Sequence, residues 1–163
     1  MSGDGASGGQ PPASVRTNPA SLPPSSGQPG TPVGRPVTVL VVEDSPIVRE
    51  RLISLIGEVP NVAIVGQAEE GLKAAELFDQ LRPDSVILDI QLPGINGMEL
   101  LVRFKTAHPA CVVMVLTTYA FKEFRRRCLA AGADYFLDKA TEFERVPQVL
   151  SAMQSQRHST PSR

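Results

Sequence analysis

Five short runs of β-branched and aliphatic residues decide what this chain can fold into: VTVLVV (37–42), NVAIVG (61–66), SVILDI (85–90), CVVMVL (111–116) and DYFL (134–137). The runs are near-continuous rather than alternating. A strand with one wet face alternates apolar and polar residues. A strand buried on both faces is apolar throughout, as in a parallel sheet covered by helices. Between the runs, apolar residues recur at helical spacing: Val48, Leu52, Leu55 and Val59; Ala74, Leu77, Phe78 and Leu81; Gly97, Leu100, Leu101 and Phe104; Phe121, Phe124, Cys128 and Ala131; then Phe143, Val146 and Leu150. Such stripes predict helices that pack on the sheet.

Strand and helix therefore alternate five times, which predicts a doubly wound α/β domain. Right-handed crossovers put helices on both faces. The expected strand order is 2-1-3-4-5, the flavodoxin-like arrangement. The domain is expected over 37–154. Residues 1–36 are mostly Gly, Pro and Ser, with no aromatic residue. They bury too little apolar surface to offset their ordering entropy and are expected to be a disordered tail, as are 155–163. The fifth helix is awkward. TEFE (141–144) has a capping-box pattern, with Thr141 as cap and Glu144 reaching back, yet Pro147 then falls inside the helix. A short first turn followed by the helix proper reconciles the two.

The net charge is −1 and the pI about 6.1, so there is no overall field for nucleic acid or an anionic membrane. No apolar stretch is long enough to span a bilayer, and the N-terminus lacks a secretory pattern. Cys111 and Cys128 are in no C-x-x-C spacing and read as reduced, buried thiols. A cytoplasmic protein is the expectation. The basic cluster Lys122, Arg125, Arg126 and Arg127 reads first as a solvated helix face, then as a docking surface.

In open α/β sheets, ligands bind beyond the carboxyl ends of the strands, at the point where strand order reverses. For order 2-1-3-4-5 that point lies between strands 1 and 3. Strand 1 ends in Glu43-Asp44, strand 3 in Asp89, strand 4 in Thr117-Thr118, and strand 5 is followed by Lys139. Taken singly, each residue has an ordinary structural reading. Asp89 is an end-of-strand acid, Thr117 a helix cap and Lys139 a surface lysine. Arriving together at one edge, they form a charged site. Three clustered carboxylates raise one another's pKa or bind a cation. All-oxygen ligands favour a hard ion, Mg²⁺ before Zn²⁺. An Asp carboxylate beside Mg²⁺ is a nucleophile toward phosphorus, Lys139 a point charge for a phosphoryl oxygen, and the Thr117 hydroxyl a donor to another. The parts suit phosphoryl transfer. Ser45 and Pro46 are left to start the first helix.

The motifs VLVVEDSPIVRERL, DSVILDIQLPGINGMELL, VVMVLTTYA and AGADYFLDKATEF, in this order and spacing, resemble the receiver domain of two-component response regulators over the whole region 37–154. The resemblance implies that Asp89 is the phosphoacceptor. Glu43, Asp44, Asp89 and the backbone carbonyl of Gln91 would hold Mg²⁺, and Thr117 and Lys139 would contact the phosphoryl group. Phe136 stands at the family's switch aromatic. Movement of Thr117 toward the phosphate would let Phe136 turn inward and repack the face made by the fourth helix, fifth strand and fifth helix. The phosphodonor would be a histidine kinase or a phosphotransfer protein. The output partner would be a separate protein, with no direct contact to nucleic acid or membrane and no metabolic catalysis.

The chain departs from the family at two positions. Ala140 follows Lys139 where the family usually has proline joined by a cis bond. A cis bond to a non-proline residue costs about 3 kcal/mol. The expectation is a trans bond with a rearranged loop, or strain held by the site. Phe136 lacks the hydroxyl of the tyrosine many relatives carry, so its switch must act by packing. Gln91 and Tyr119 flank the site. Two rival readings are a receiver remnant of a helix-turn-helix transcription factor that acts through a partner, and a Mg²⁺-dependent aspartyl-phosphate phosphatase. The second expects D-x-D after strand 1, where this chain has Glu43-Asp44.

Overall fold

A computed structural model describes residues 34–159 of the chain. Strands β1 (Val37–Val42), β2 (Val62–Ala68), β3 (Ser85–Leu88), β4 (Val112–Thr117) and β5 (Tyr135–Asp138) alternate with helices α1 (Pro46–Gly57), α2 (Gly71–Leu81), α3 (Gly97–Ala107), α4 (Lys122–Ala130) and α5 (Arg145–Ser159). The strands pair in parallel in the order β2-β1-β3-β4-β5. This is the flavodoxin-like topology expected from the sequence.

Successive side chains of a strand point to opposite faces, and here both faces are covered. Val37, Val39 and Val41 of β1 join Ile87, Met114 and Leu137 in one buried cluster, closed by Leu52 and Ile56 of α1 and Val146 and Leu150 of α5. Leu40 and Val42 face the other way. They join Leu88, Val115 and Phe136 in a cluster closed by α2, α3 and Cys128 of α4. Phe78 of α2 and Phe104 of α3 stack there with ring centroids 4.2 Å apart. This two-sided burial explains the near-continuous apolar runs.

Side-chain caps start α1 and α3. Ser45 caps α1 by accepting the Val48 N–H, and Pro46 fills the first helical position, where no intrahelical N–H is needed. Asn96 caps α3 through the Met98 N–H. Phe121, placed by its spacing in the packed stripe of α4, instead occupies the N-cap position and is 65% exposed. Its extended backbone, φ −76° and ψ 144°, turns it off the helical face, so the stripe begins at Phe124. The TEFE capping box does not form either. Residues 139–144 are a turn, α5 starts at Arg145, and Glu144 faces Arg51 at 3.3 Å. Pro147 thus sits in the first helical turn, where its missing N–H costs little.

At its far end α5 runs through Ser159, so 155–159 are helical rather than the expected tail. The cause is tertiary: the Arg157 guanidinium reaches Asp84 at 2.7 Å and the carbonyls of Arg35 and Pro36 at 3.2 and 3.4 Å. The tail expected over 1–36 lies outside the described residues for all but its last three. Among the described residues every peptide bond is trans, Lys139–Ala140 included. No helix there is long and apolar enough to cross a membrane.

Candidate phosphoryl-transfer site

The carboxyl edges of β1, β3, β4 and β5 deliver the charged and hydroxyl groups of the site, two from β1 and one from each of the others. Glu43 and Asp44 follow β1, with the Glu43 N–H still bonded to the Ala68 carbonyl at 2.9 Å. Asp89 follows β3, its N–H donating to the Val42 carbonyl at 3.0 Å. Thr117 is the last residue of β4, and its carbonyl accepts the Lys139 N–H at 2.9 Å, one step past β5. Backbone ladders therefore hold all four positions before any side chain is considered.

The loop after β3 is pinned by a close approach. A Cβ on Gly97 would lie 2.3 Å from the Ile90 carbonyl oxygen, so only glycine lets α3 start against the residue next to Asp89. Gly94 has φ +90° and supplies the turn between them.

Lys139 Nζ lies 2.8 Å from Glu43 Oε1 and 2.9 Å from Asp89 Oδ2. The other oxygen of each acid is also engaged. The Ser45 N–H donates to Glu43 Oε2 at 3.0 Å and the Gln91 N–H to Asp89 Oδ1 at 2.9 Å. Glu43, Asp89 and Thr117 are buried, while Asp44 is exposed. Burial raises the Glu43 carboxyl above its ordinary value even against the opposing pull of Lys139 and the Ser45 N–H. Burial alone would lower Lys139, but its two carboxylate partners outweigh that and hold it above its ordinary value.

Carboxylate oxygens of Glu43, Asp44 and Asp89 lie within 4.8 Å of one another. Ligand oxygens on one octahedral Mg²⁺ are about 3 Å apart when adjacent and about 4 Å apart when opposite, given bonds near 2.1 Å. Small side-chain rotations would close the set on such an ion. Three carboxylates and one ammonium sum to a formal −2 when all are ionised. The donor set and its charge therefore fit a hard divalent cation. Beside Asp44 an open depression of about 540 Å³, lined by Glu69, Glu70, Lys73 and Pro93, leads to solvent.

The other expected residues are placed as follows. Thr117 Oγ1 accepts the Tyr119 N–H at 3.1 Å, which leaves the hydroxyl proton free to donate elsewhere. The Tyr119 ring leans outward beside Phe121, centroids 6.2 Å apart, and is half exposed. Gln91 reaches Asp89 through its N–H. Phe136 lies on the face of β5 under α4, 2% exposed, with Phe124 edge-on at 6.0 Å and the Arg125 guanidinium 5.7 Å from its ring. The expected inward turn of Phe136 therefore has no outward starting point here: the ring is already packed in. Of the basic cluster, Arg125 covers Phe136 and Arg126 pairs with Glu123 at 3.6 Å.

Sequence reading missed two supports. Arg49 of α1 donates to the Glu43 carbonyl at 2.9 Å and pairs with Glu69 at 3.3 Å, tying the end of β1 to the β2–α2 connection. Its only signal in the sequence is a cation one turn beyond the acidic pair. The second is the turn around Asp138 and Glu142, which flanks Lys139.

A comparison with family models matches residues 39–151 to the response regulator receiver domain. Among curated proteins, the chain is 30% identical over 126 residues to the response regulator GacA of Pseudomonas viridiflava, covering 77% of this chain and 59% of that protein. It is 37% identical to a cyclic di-GMP phosphodiesterase of Thermotoga maritima over 66% of this chain and 28% of that protein. It is 39% identical to a protein-glutamate methylesterase/protein-glutamine glutaminase of Rhizobium etli over 60% and 28%. The chain thus spans 28 to 59% of the length of these three relatives. Among solved structures, the response regulator domain of Thermotoga maritima CheB superposes with a TM-score of 0.65 at 30% identity, over 78% of this chain and 100% of that one. With its topology, its acidic edge and the match over 39–151, this chain belongs to the receiver domain family of the response regulators of two-component phosphorelay signalling.

Proposed function

We propose that Asp89 accepts a phosphoryl group from a phosphohistidine donor, carried by a histidine kinase or a phosphotransfer protein. One observation supports this most: a buried Asp89 whose two oxygens are held by the Lys139 ammonium and the Gln91 N–H, with Glu43 and Asp44 alongside. An Asp89 oxygen attacks phosphorus, the P–N bond breaks with its electron pair leaving on the imidazole, and an acyl phosphate forms. Glu43, Asp44, Asp89 and the Gln91 carbonyl would hold Mg²⁺, which supplies positive charge for the phosphoryl oxygens. Lys139 Nζ, already on Asp89 Oδ2, moves to a phosphoryl oxygen as charge arrives. The Thr117 hydroxyl, oriented by the Tyr119 N–H, donates to another.

The output is a change in the α4–β5–α5 face read by a separate protein. Because Phe136 is already buried, the switch works by redistributing its contacts with Phe124 and Arg125. A cytoplasmic site of action accords with two buried free thiols, Cys111 and Cys128.

The test is incubation with Mg²⁺ and phosphoramidate or acetyl phosphate, followed by mass spectrometry. Wild type gains one phosphoryl group with Mg²⁺ and none when Mg²⁺ is left out of the incubation, and Asp89→Asn gains none. Equal labelling of Asp89→Asn sinks the assignment.

A further inference from the structure

The residues on either side of the site lysine bond to each other. The Ala140 N–H donates to Asp138 Oδ1 at 2.8 Å, an Asx turn with Lys139 at its centre. The Asp138 N–H donates to Glu142 Oε1 at 3.1 Å, and the Glu142 N–H returns to the Asp138 carbonyl at 2.8 Å. Arg145 grips Glu142 Oε2 at 2.7 Å. On the sheet side, the Lys139 N–H is fixed to the Thr117 carbonyl at 2.9 Å. The lysine backbone is thereby held from before and after, at the point where β5 has ended at Asp138 and α5 has not begun.

The central bond depends on the residue at 140. A proline there has no N–H to give. Only because this chain has Ala140, joined in trans, does the Asp138 carboxylate find a donor two residues on. The lysine side chain is a long, flexible stem with no preferred direction of its own. Its ammonium reaches Glu43 and Asp89 only if the backbone from which it springs is fixed.

We propose that Asp138, by accepting the Ala140 N–H, is a positioning residue that aims Lys139 at Asp89. This rests on Asp89 being the phosphoacceptor. Among the described residues the hydrogen bonds of Asp138 run to Ala140 and Glu142 and not to Glu43, Asp44 or Asp89, so it acts through the turn. A displacement of about 1 Å in a group that stabilises transferring charge is enough to slow a reaction strongly.

The experiment measures the initial rate of Asp89 phosphorylation by phosphoramidate with saturating Mg²⁺. Asp138→Ala should label about tenfold more slowly, with an unchanged urea midpoint. Asp138→Asn, which keeps a carbonyl oxygen for the Ala140 N–H, should recover the rate to within about twofold. In an Ala140→Pro background, where no N–H remains, adding Asp138→Ala should change the rate by less than about twofold whatever that background's own rate. Hydrogen exchange of the Ala140 amide in the wild-type protein gives an independent reading that needs no variant to fold: it should be protected. A wild-type rate in Asp138→Ala overturns the proposal while leaving Asp89 as acceptor. So does Asp138→Asn as slow as Asp138→Ala, an undiminished Asp138→Ala effect in the Ala140→Pro background, or an Ala140 amide that exchanges freely. If the wild type takes no phosphoryl group at Asp89, both the acceptor reading and this proposal fall.

Discussion

Lys139 Nζ stands between Glu43 Oε1 and Asp89 Oδ2, at 2.8 and 2.9 Å, so a single ammonium is shared by two buried carboxylates that follow different strands. Removing it would leave both acids without their cation. Lys139→Met should cost about 3 kcal/mol at neutral pH in the presence of a chelator. Millimolar Mg²⁺ should return part of that loss, because an ion held by Glu43, Asp44 and Asp89 would bind the folded state alone. Urea unfolding with and without Mg²⁺ checks both. Since Lys139 titrates above its ordinary value of 10.5, its own contribution is complete below that pH and is lost only as pH climbs through the raised value.

Asp84 gives the opposite pH signature. Its Oδ2 accepts the Thr38 N–H and hydroxyl at 2.8 and 3.0 Å, and its Oδ1 faces Arg157 at 2.7 Å. Burial opposes ionisation, but the Thr38 and Arg157 bonds outweigh it and hold the carboxyl below its ordinary 3.8. A lowered folded value contributes stability above the unfolded value, lost as pH falls through the folded one. Asp84→Ala should lose about 2 kcal/mol at pH 7, and the gap to wild type should shrink below about pH 4. Urea midpoints measured from pH 3 to 7 decide the matter. A gap that stays constant over that range contradicts the role given to this carboxylate.

Cys111 offers a chemical probe of packing. It is fully buried, and burial pushes its thiol up to about 12. Burial also raises Cys128. The thiolate is the reactive form. Native protein should resist iodoacetamide at pH 8, with both thiols modified promptly in urea. Fast native alkylation of either would show that the sheet faces open more easily than their packing implies.

Gly97 tests how tightly the loop bearing Asp89 is built. The Cβ of Gly97→Ala would meet the Ile90 carbonyl oxygen, a backbone atom that cannot step aside alone. The expected loss is about 3 kcal/mol, together with slower phosphorylation of Asp89. Gly94→Ala meets no neighbour and is strained only by its positive φ, so its cost should be about 1 kcal/mol. Thermal melts of the two variants rank them.

The sheet was legible because helices cover both of its faces, which writes its inner strands as near-continuous apolar runs such as VTVLVV at 37–42. The placement of Glu43, Asp44, Asp89 and Lys139 at one edge followed from topology, since every parallel strand points its carboxyl end the same way. What stayed hidden depends on partners distant in sequence or on side-chain direction. α5 extends past 154 because Arg157 meets Asp84, more than seventy residues earlier. Phe136 is packed beneath Arg125 and Phe124, which no spacing rule specifies. Phe121 shares the spacing of the α4 stripe yet falls outside the helix, because periodicity does not mark where a helix begins. The Asp138–Ala140 bond needed the trans geometry at 140 to be seen.

The grip of Arg157 on the carbonyls of Arg35 and Pro36 brings the beginning and end of the folded region to within one side chain's reach. The domain is in effect a nearly closed ring of chain, sealed at the edge where β1 starts and remote from the acidic edge where it ends. A short linker from 157 to 35 should therefore close the ring without distorting it, and new ends can be opened in an exposed connection elsewhere. The order in which the strands are synthesised is then separable from the order in which they lie.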